Sequence, residues 1–266
     1  MPSRTTVEIA SSVSRNIHAL MKNHPFARLL PTALVLLMFS HRASDLQAQD
    51  APPHPAIPAF TKGARILFQG DSITDGNRGR SADPNHILGH GYAFIIAAKH
   101  GASFPELGLD FRNRGISGNT VVDLEGRWQK DTLDLKPDVL SILIGINDTG
   151  RNVPLEVYEQ KLDNLIARTK EANPKIKLVL GEPFTLPHPK RADTYAAWRA
   201  AVQQRQDIVA KLAAKHGAVL VPFQKAFDEA AKRAPAEYWI WDSVHPTYAG
   251  HQIMADAWEK AVREMK

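Results

Sequence analysis

The sequence predicts one α/β domain in three layers, with helices on both faces of a parallel sheet. Short β-rich runs alternate with longer helical patterns from Arg65 to Glu264, and this alternation is typical of α/β folds. Val139–Ile144 is a nearly unbroken apolar run, as expected of a strand that is buried on both faces. Because strand–helix–strand connections are right-handed, the alternation favours parallel strands.

The elements follow one another with few interruptions. The predicted strands are Arg65–Gln69, Leu109–Asn113, Val139–Ile144, Ile176–Leu180 and Ala218–Val221. The predicted helices are Tyr92–His100, Val121–Lys130, Leu155–Ala172, Ala192–His216 and Tyr248–Glu264. Pro154 suits the first turn of the third helix, and Gly217 stands where a C-terminal cap would follow the fourth.

Composition excludes several classes of function. The 266 residues include no cysteine, so disulfides, a thiolate nucleophile and a cysteine-ligated zinc are ruled out. The formal charge is +5, but residues 1–48 hold five of the 33 basic residues and two of the 28 acidic ones, so the rest is close to neutral. Without a basic cluster interleaved with aromatic residues, we expect no nucleic-acid partner.

Residues 22–48 have the three-part pattern of a secretory signal. Lys22 and Arg28 form a basic flank, Leu29–Phe39 is a short apolar core, and Ala48 is small enough for signal peptidase. The apolar run is too short to span a bilayer comfortably. Pro31 interrupts this run, which weakens the match to a signal peptide. An N-terminal membrane anchor and a buried core helix are the alternatives.

This pattern predicts the domain organisation. Residues 1–48 are predicted to be a leader whose true start is Met21, and the protein is predicted to be exported to the periplasm or beyond the cell. The Pro-rich residues 49–61 then form an extended linker, and the domain occupies 62–266. After signal cleavage we expect no stable membrane insertion.

Polar residues gather where the predicted strands end. The first strand is followed by Gly70-Asp71-Ser72, the second by 113–120, the third by 145–148, and the fifth, further on, by 241–246. In parallel α/β sheets function collects at the carboxyl ends of strands, in the crevice where the strand order reverses. Alone, Ser72 has two interpretations, since serine is as common in turns as at a nucleophilic position.

The four segments together supply what acyl transfer requires. A serine hydroxyl needs a neighbouring base, and histidine suits that task near neutral pH. Asp242 and His245 are three residues apart, so one turn can bring a carboxylate to the imidazole. Gly118, Asn147 and the main-chain N–H of Ser72 are candidate donors to the oxyanion of a tetrahedral intermediate.

In these blocks the chain resembles the SGNH hydrolases, also called the GDSL esterase/lipase family. The family is named for Ser, Gly, Asn and His in four blocks, which match Ser72, Gly118, Asn147 and His245 here. The resemblance covers about residues 62–264 and implies that Ser72 is the nucleophile and His245 its base, with Asp242 as the partner of the base. Gly118, Asn147 and Ser72 would form the oxyanion hole.

The resemblance also carries expectations about fold and cofactors. It implies a flavodoxin-like, five-stranded parallel sheet and neither metal nor organic cofactor. Ile73 stands where the family name has leucine, a departure that does not touch the chemistry. The Gly-x-Ser-x-Gly elbow of ordinary α/β-hydrolases is absent, because position 74 is threonine.

Several neighbouring residues have secondary or open interpretations. Asp71 and Asp148 are predicted to support the catalytic residues through hydrogen bonds, without acting directly. Trp239 and Trp241 beside the Asp-His block are possible substrate contacts, but aromatic residues there can equally belong to the core. The histidines His86, His90 and His100 are interpreted as surface or loop residues, since no acidic residue stands at ligand-like spacing. Gly76–Gly91 is either a mobile flap or an inert connector.

The mechanism is better determined than the substrate. We predict an exported serine esterase that removes acetyl groups from a polysaccharide through an acyl-enzyme. This substrate is favoured by the leader and by the aromatic residues beside Asp242. It is also favoured by a resemblance of residues 70–76 and 242–250 to family members that act on acetylated sugars. A lysophospholipase or a short- to medium-chain acyl hydrolase is the alternative, and a catalytically silent carbohydrate-binding protein is a third. The partner is then a small ester or an acetylated saccharide.

Overall fold

A five-stranded, all-parallel sheet forms the centre of the computed structural model, which describes residues 56–265. Its strands lie side by side in the order β2-β1-β3-β4-β5. Their bounds are Arg65–Gly70 (β1), Asp110–Asn113 (β2), Val139–Leu143 (β3), Lys177–Gly181 (β4) and Val219–Val221 (β5). The prediction of a parallel, flavodoxin-like α/β sheet is therefore confirmed.

Helices alternate with the strands within the described residues. Their bounds are Ser72–Asp75 (α1), Tyr92–Ser103 (α2), Val121–Asp131 (α3), Ile146–Gly150 (α4), Leu155–Ala172 (α5), Tyr195–His216 (α6), Phe223–Ala231 (α7), Ala236–Trp239 (α8) and Tyr248–Arg263 (α9). Short 3₁₀ turns lie at Pro105–Leu107, Leu133–Leu135 and Pro189–Arg191. In this part of the chain, no helix combines the length and apolar character needed to cross a membrane.

The two faces of the sheet belong to two separate cores. Ile66 and Phe68 of β1 pack in one core, most of whose helical members come from α2, α7, α8 and α9. Leu67, between them, packs in the other, whose helical members come from α3, α5 and α6. Because successive side chains of a strand point to opposite faces, one apolar strand contributes to both cores. This arrangement is the predicted three-layer architecture.

Element boundaries depart from the sequence predictions by small amounts, with one larger omission. β4 is displaced by one residue towards Gly181, and α6 begins at Tyr195, three residues later than predicted, because a 3₁₀ turn precedes it. α7 was not predicted, although Phe223, Phe227 and Ala230 form its buried face. The described part of the predicted linker packs on the domain, since Ile57 and Phe60 are buried.

The reversal of strand order lies between β1 and β3. From β1 the chain passes first to β2 on one side and later to β3 on the other, which makes their carboxyl ends the expected crevice. These ends approach closely: a Cβ at Gly70 would lie 2.4 Å from the carbonyl oxygen of Leu143. No side chain fits at Gly70, and the backbone that follows enters α1 directly at this crevice.

Candidate active site

Ser72 is the first residue of α1, immediately beyond β1. Asp71 caps the helix, since its Oδ1 accepts the main-chain N–H of Ile73 at 3.0 Å. Gly76 ends the helix in the left-handed conformation, with φ of 51°. The short helix thus presents Ser72 at the strand end, and its Oγ lies 2.8 Å from Nε2 of His245.

His245 is held by a turn that begins at Asp242. Oδ1 of Asp242 accepts the main-chain N–H groups of Val244 at 3.0 Å and His245 at 2.7 Å. Oδ2 of the same carboxylate lies 2.7 Å from Nδ1 of the imidazole. Since an ionised carboxylate only accepts hydrogen bonds, it favours the tautomer with a proton on Nδ1. That tautomer leaves Nε2 free to accept the hydroxyl proton of Ser72.

The turn is clamped from outside. The N–H of Trp241 donates to the carbonyl of His245 at 3.1 Å, and Ile240 and Pro246 form an antiparallel bridge. Ser243 adopts a φ of 78°, and its carbonyl accepts the hydroxyl of Thr185 at 2.8 Å. A left-handed, non-glycine residue is uncommon and persists where its surroundings fix it. The imidazole therefore rests on a rigid support.

The electrostatics of Asp242 suit a charged role. Burial by itself would raise the pKa of Asp242. Hydrogen bonds from the main-chain N–H and the imidazole of His245, and from the main-chain N–H of Val244, outweigh burial and hold this pKa below its ordinary value. The carboxylate is thus ionised at neutral pH. An ionised partner stabilises the imidazolium that forms when His245 takes a proton.

Besides Ser72, the predicted oxyanion donors are Gly118, on the loop after β2, and Asn147, in α4, and these two segments contact each other. The N–H of Ile116 donates to the carbonyl of Gly70 at 3.1 Å, which brings the second block to the end of β1. Gly118 has a φ of 82°, a conformation that favours glycine. Asn147 donates one amide hydrogen to the carbonyl of Asn119 at 3.1 Å, and a primary amide carries a second hydrogen for another acceptor.

Asp148 ties the third block to the helix that follows the second. Its Oδ1 accepts the N–H of Val121, the first residue of α3, at 3.0 Å. Its Oδ2 is buried and has no hydrogen-bond partner among residues 56–265. Burial raises the pKa of Asp148 to about 6. Burial likewise raises the pKa of Asp71 to about 7, although the N–H of Ile73 acts in the opposite direction.

Sequence reasoning missed Asp75 and Asn113, which join the first two blocks. Oδ2 of the buried Asp75 accepts the main-chain N–H of Ser117 at 3.0 Å and its hydroxyl at 2.9 Å. The amide of Asn113 donates to the carbonyls of Thr74 and Leu88 at 2.7 and 2.9 Å. Only contacts over some forty residues reveal these roles. The sequence offered a single weak signal of such a role, namely the acidic Asp75 near the end of the Gly70–Gly76 segment.

The aromatic residues near His245 divide into core and surface. Trp239 is 7% exposed and belongs to the core, which is the alternative the sequence left open, so a sugar contact by Trp239 is not supported. Trp241 is 57% exposed, and its ring stacks near the imidazole of His245, with centroids 6.2 Å apart. Trp241 therefore offers an open aromatic face beside the imidazole of His245.

The three scattered histidines do not form a site. His86 is exposed and lies 2.6 Å from Oδ2 of Asp83, and His90 is also exposed. His100 differs from its prediction as a surface residue: it is fully buried in α2, with Nε2 3.3 Å from Oε1 of Glu259. Across residues 56–265 no cluster of three or more His, Asp or Glu could hold a metal ion.

The 76–91 loop returns to its starting point. The N–H of His90 donates to the carbonyl of Gly76 at 2.9 Å, and that of Gly79 donates to His86 at 2.7 Å. A Cβ at Gly89 would lie 2.5 Å from the carbonyl oxygen of Gly76, so the two ends touch. Compact loops with adjacent ends are often functional. Whether this one moves as a flap stays a prediction.

Comparisons with known proteins identify the family of the chain. Residues 68–253 match the model of the GDSL-like lipase/acylhydrolase family, and the chain belongs to that family. An acetylxylan esterase from Geobacillus stearothermophilus is 37% identical over 213 residues, which cover 75% of this chain and 94% of that protein. As the family and this relative indicate, the protein is a carboxylic ester hydrolase.

Solved structures show the same fold. The crystal structure of Axe2, an acetylxylan esterase from Geobacillus stearothermophilus, superposes with a TM-score of 0.68 at 36% identity, over 77% of this chain and 96% of that one. LAE5, an α/β hydrolase enzyme from the metagenome of Lake Arreo, gives a TM-score of 0.68 at 37% identity, over 78% of this chain and 99% of that one. The fold and family of the sequence prediction are therefore confirmed.

Proposed function

We propose that the protein is an exported esterase that removes acetyl groups from a polysaccharide. The observation that carries the reaction is the hydrogen-bonded series Ser72–His245–Asp242, with distances of 2.8 and 2.7 Å. The similarity to an acetylxylan esterase and the open face of Trp241 support a carbohydrate substrate. Export rests on the pattern of residues 22–48, which lie outside the described residues.

The reaction proceeds in two steps through an acyl-enzyme. Nε2 of His245 takes the hydroxyl proton as Oγ of Ser72 attacks the ester carbonyl, and Asp242 stabilises the resulting imidazolium. The imidazolium then protonates the departing sugar oxygen. In the second step His245 accepts a proton from water as the water attacks the acetyl-enzyme, and His245 then returns this proton to Oγ of Ser72 as acetate leaves.

The oxyanion of each tetrahedral intermediate needs donors that are already in place. We assign this role to the main-chain N–H groups of Ser72 and Gly118 and to the amide of Asn147. The first N–H groups of a helix have no intrahelical acceptor, so that of Ser72 is available. Each donor of this type is typically worth about 2.7–4 kcal/mol of the activation barrier.

A series of p-nitrophenyl esters from acetate to palmitate tests the proposal. We expect the chain from Gln49 to prefer acetate and to release acetate from acetylated xylan. Ser72→Ala should lose about 10⁶-fold in kcat, whereas Ser103→Ala, at the end of α2, should retain activity. A preference for long acyl chains would replace the carbohydrate substrate with a lipid, and an active Ser72→Ala would remove the nucleophile.

A further inference from the structure

Four arginines line a groove at the β2 edge of the sheet. The groove has a volume of 300 Å³ and is lined by Arg78, Gly79, Arg80, Ser81, Ala82, Ile87, Phe111, Arg112, Asn113 and Arg114. We call it the arginine groove. One wall comes from the 76–91 loop and the other from β2 and the residue after it. Its volume lies at the lower end of the range for ligand pockets, about 300–1,000 Å³.

The positive charge of the groove is only partly balanced. No carboxylate is among the residues that line it. Arg80 forms two hydrogen bonds to the buried Asp75, at 2.9 and 2.8 Å, and Arg112 is paired with Asp110 at 2.6 Å. These two carboxylates are shared, because Arg65 also binds Asp110 and Arg78 lies 4.0 Å from Asp75.

The Nε of Arg114 is buried and has no hydrogen-bond acceptor among the described residues. The pKa of Arg78 is lowered to about 10, mainly by burial and then by the positive charge of Arg80. The charge of Arg114 acts in the same direction, and that of Asp75 acts against it. A buried, unsatisfied donor of a charged group is costly, and a bound anion would satisfy it.

The groove is built on the same short segments as the catalytic residues. Arg78 and Arg80 contact Asp75. Asp75 is the last residue of the helix that starts at Ser72, and this helix rises only about 5 Å from Ser72 to Asp75. Arg78 also donates to the carbonyl of Gly115 at 3.0 Å, three residues before Gly118. A ligand in the groove would therefore contact residues that are joined by hydrogen bonds to the segments carrying Ser72 and Gly118.

We propose that the arginine groove is a subsite that binds the carboxylate of a uronic-acid residue in the acetylated saccharide. The inference rests on the proposed function, since it gives the substrate of that site a negative charge. A planar guanidinium matches a carboxylate through two parallel hydrogen bonds. An acetylated polysaccharide that also carries carboxylates would present its ester at Ser72 and its charge to Arg114.

Acetate release from an acetylated oligogalacturonide and from a neutral acetylated xylooligosaccharide tests the proposal. Three variants each change the net charge by the same amount: Arg114→Gln, Ser81→Glu, which places a competing carboxylate in the groove, and the control Arg168→Gln on α5. We expect the ratio of kcat/KM for the acidic over the neutral substrate to fall about tenfold in both groove variants. The change should lie in KM, and the control should keep the wild-type ratio.

A binding measurement separates this inference from the proposed function. Titration with an ester-free oligogalacturonide should give heat with the wild type and much less with Arg114→Gln, whether or not any ester is hydrolysed. Inorganic phosphate is the second probe. Unchanged ratios in both groove variants, or binding of phosphate without binding of the oligogalacturonide, would overturn the proposal. Absence of acetate release from either substrate would count against the esterase alone.

Discussion

Asp242 and the buried pair Asp71 and Asp148 lie at the same rim of the sheet in different surroundings. Asp242 receives two main-chain N–H groups and the imidazole of His245, and its pKa is held below the ordinary value. Burial dominates at the pair and raises the pKa values to about 7 for Asp71 and about 6 for Asp148. At neutral pH the same side chain is thus fully charged where donors surround it, whereas burial leaves Asp71 about half protonated and keeps Asp148 mostly charged but more easily protonated than usual.

This difference in pKa is consistent with different roles, a catalytic one proposed for Asp242 and a structural one for Asp71 and Asp148. A charged carboxylate stabilises an imidazolium, whereas a carboxyl that only receives one N–H works as a fixed connector. Asp71 caps the helix of Ser72, and Asp148 holds the first residue of α3. We therefore expect Asp242 to respond to loss of charge and Asp148 to loss of the acceptor.

Asp242→Asn should have the largest effect. The amide removes the negative charge and can favour the wrong tautomer of His245, so we expect kcat on p-nitrophenyl acetate to fall about 10⁴-fold with little change in the melting temperature. The matched control is Asp256→Asn on the exposed face of α9. If Asp242→Asn keeps a tenth of the wild-type rate, its charge is not needed and the comparison fails.

Asp148→Ala should have an intermediate effect. The N–H of Val121 would lose its buried acceptor, which costs about 1–3 kcal/mol in the free energy of unfolding. Displacement of the neighbouring Asn147 should lower kcat about tenfold. Asp148→Asn keeps an oxygen acceptor and should restore most of both losses, as urea unfolding and initial rates would show. Equal losses in the two variants would mean that the charge of Asp148 matters after all.

The effect of Asp71 should be visible in the pH dependence of stability. Between its ordinary pKa of 3.8 and its folded pKa of about 7, the folded chain keeps a proton that the unfolded chain releases. The contribution of Asp71 to the free energy of unfolding therefore falls as the pH rises through this window. Asp242 acts in the opposite sense, since its lowered pKa gives a contribution that is lost when the pH falls through the folded pKa.

Urea unfolding of Asp71→Asn and the wild type from pH 4 to 8 measures the pH-dependent contribution of Asp71 to the free energy of unfolding. Because the variant cannot titrate at position 71, its free energy of unfolding should rise relative to the wild type as the pH rises to about 7, and stay level above it. A difference between the two proteins that is constant with pH would place the folded pKa of Asp71 near its ordinary value.

Trp241→Ala should have the smallest effect and should be specific for sugars. Loss of an aromatic contact is worth about 0.5–1.5 kcal/mol, so kcat/KM for an acetylated xylooligosaccharide should fall about 2- to 10-fold relative to p-nitrophenyl acetate. Tyr238→Ala removes an equally exposed ring that does not stack on His245 and is the control. A loss shared equally by both substrates would mean that Trp241 supports His245 and does not bind sugar.

Much of the fold could be predicted from local patterns, and the rest could not for physical reasons. All five strands were found because each has an apolar run or a strand-end motif, but their boundaries depend on pairing across the sheet. α7 follows Pro222 and has a buried face at Phe223, Phe227 and Ala230, a helical spacing that the prediction overlooked. His100 likewise lies on the buried face of α2, with Ile96 and Ala97.

The site was predictable where a motif concentrates chemistry within a few residues. Asp242 and His245 are local, and Ser72 follows a strand, so sequence alone brought them forward. Asp75 and Ser117 meet only in the folded chain, 42 residues apart. No local pattern marks Arg114, because the missing acceptor of its Nε is a property of the surrounding structure.

The touching ends of the 76–91 loop have a consequence for how this protein can diverge. Because Gly76 and Gly89 meet, the loop begins and ends at nearly the same point. Arg78, Arg80 and Leu88 bind the residues at the ends of β1 and β2, whereas the tip of the loop, residues 81–87, lies between these contacts. Doubling the length of such a loop costs only about 0.6 kcal/mol in closure entropy. One wall of the arginine groove can thus be lengthened, shortened or exchanged between relatives, which lets a lineage change its preferred polysaccharide while the hydrolytic apparatus is inherited intact.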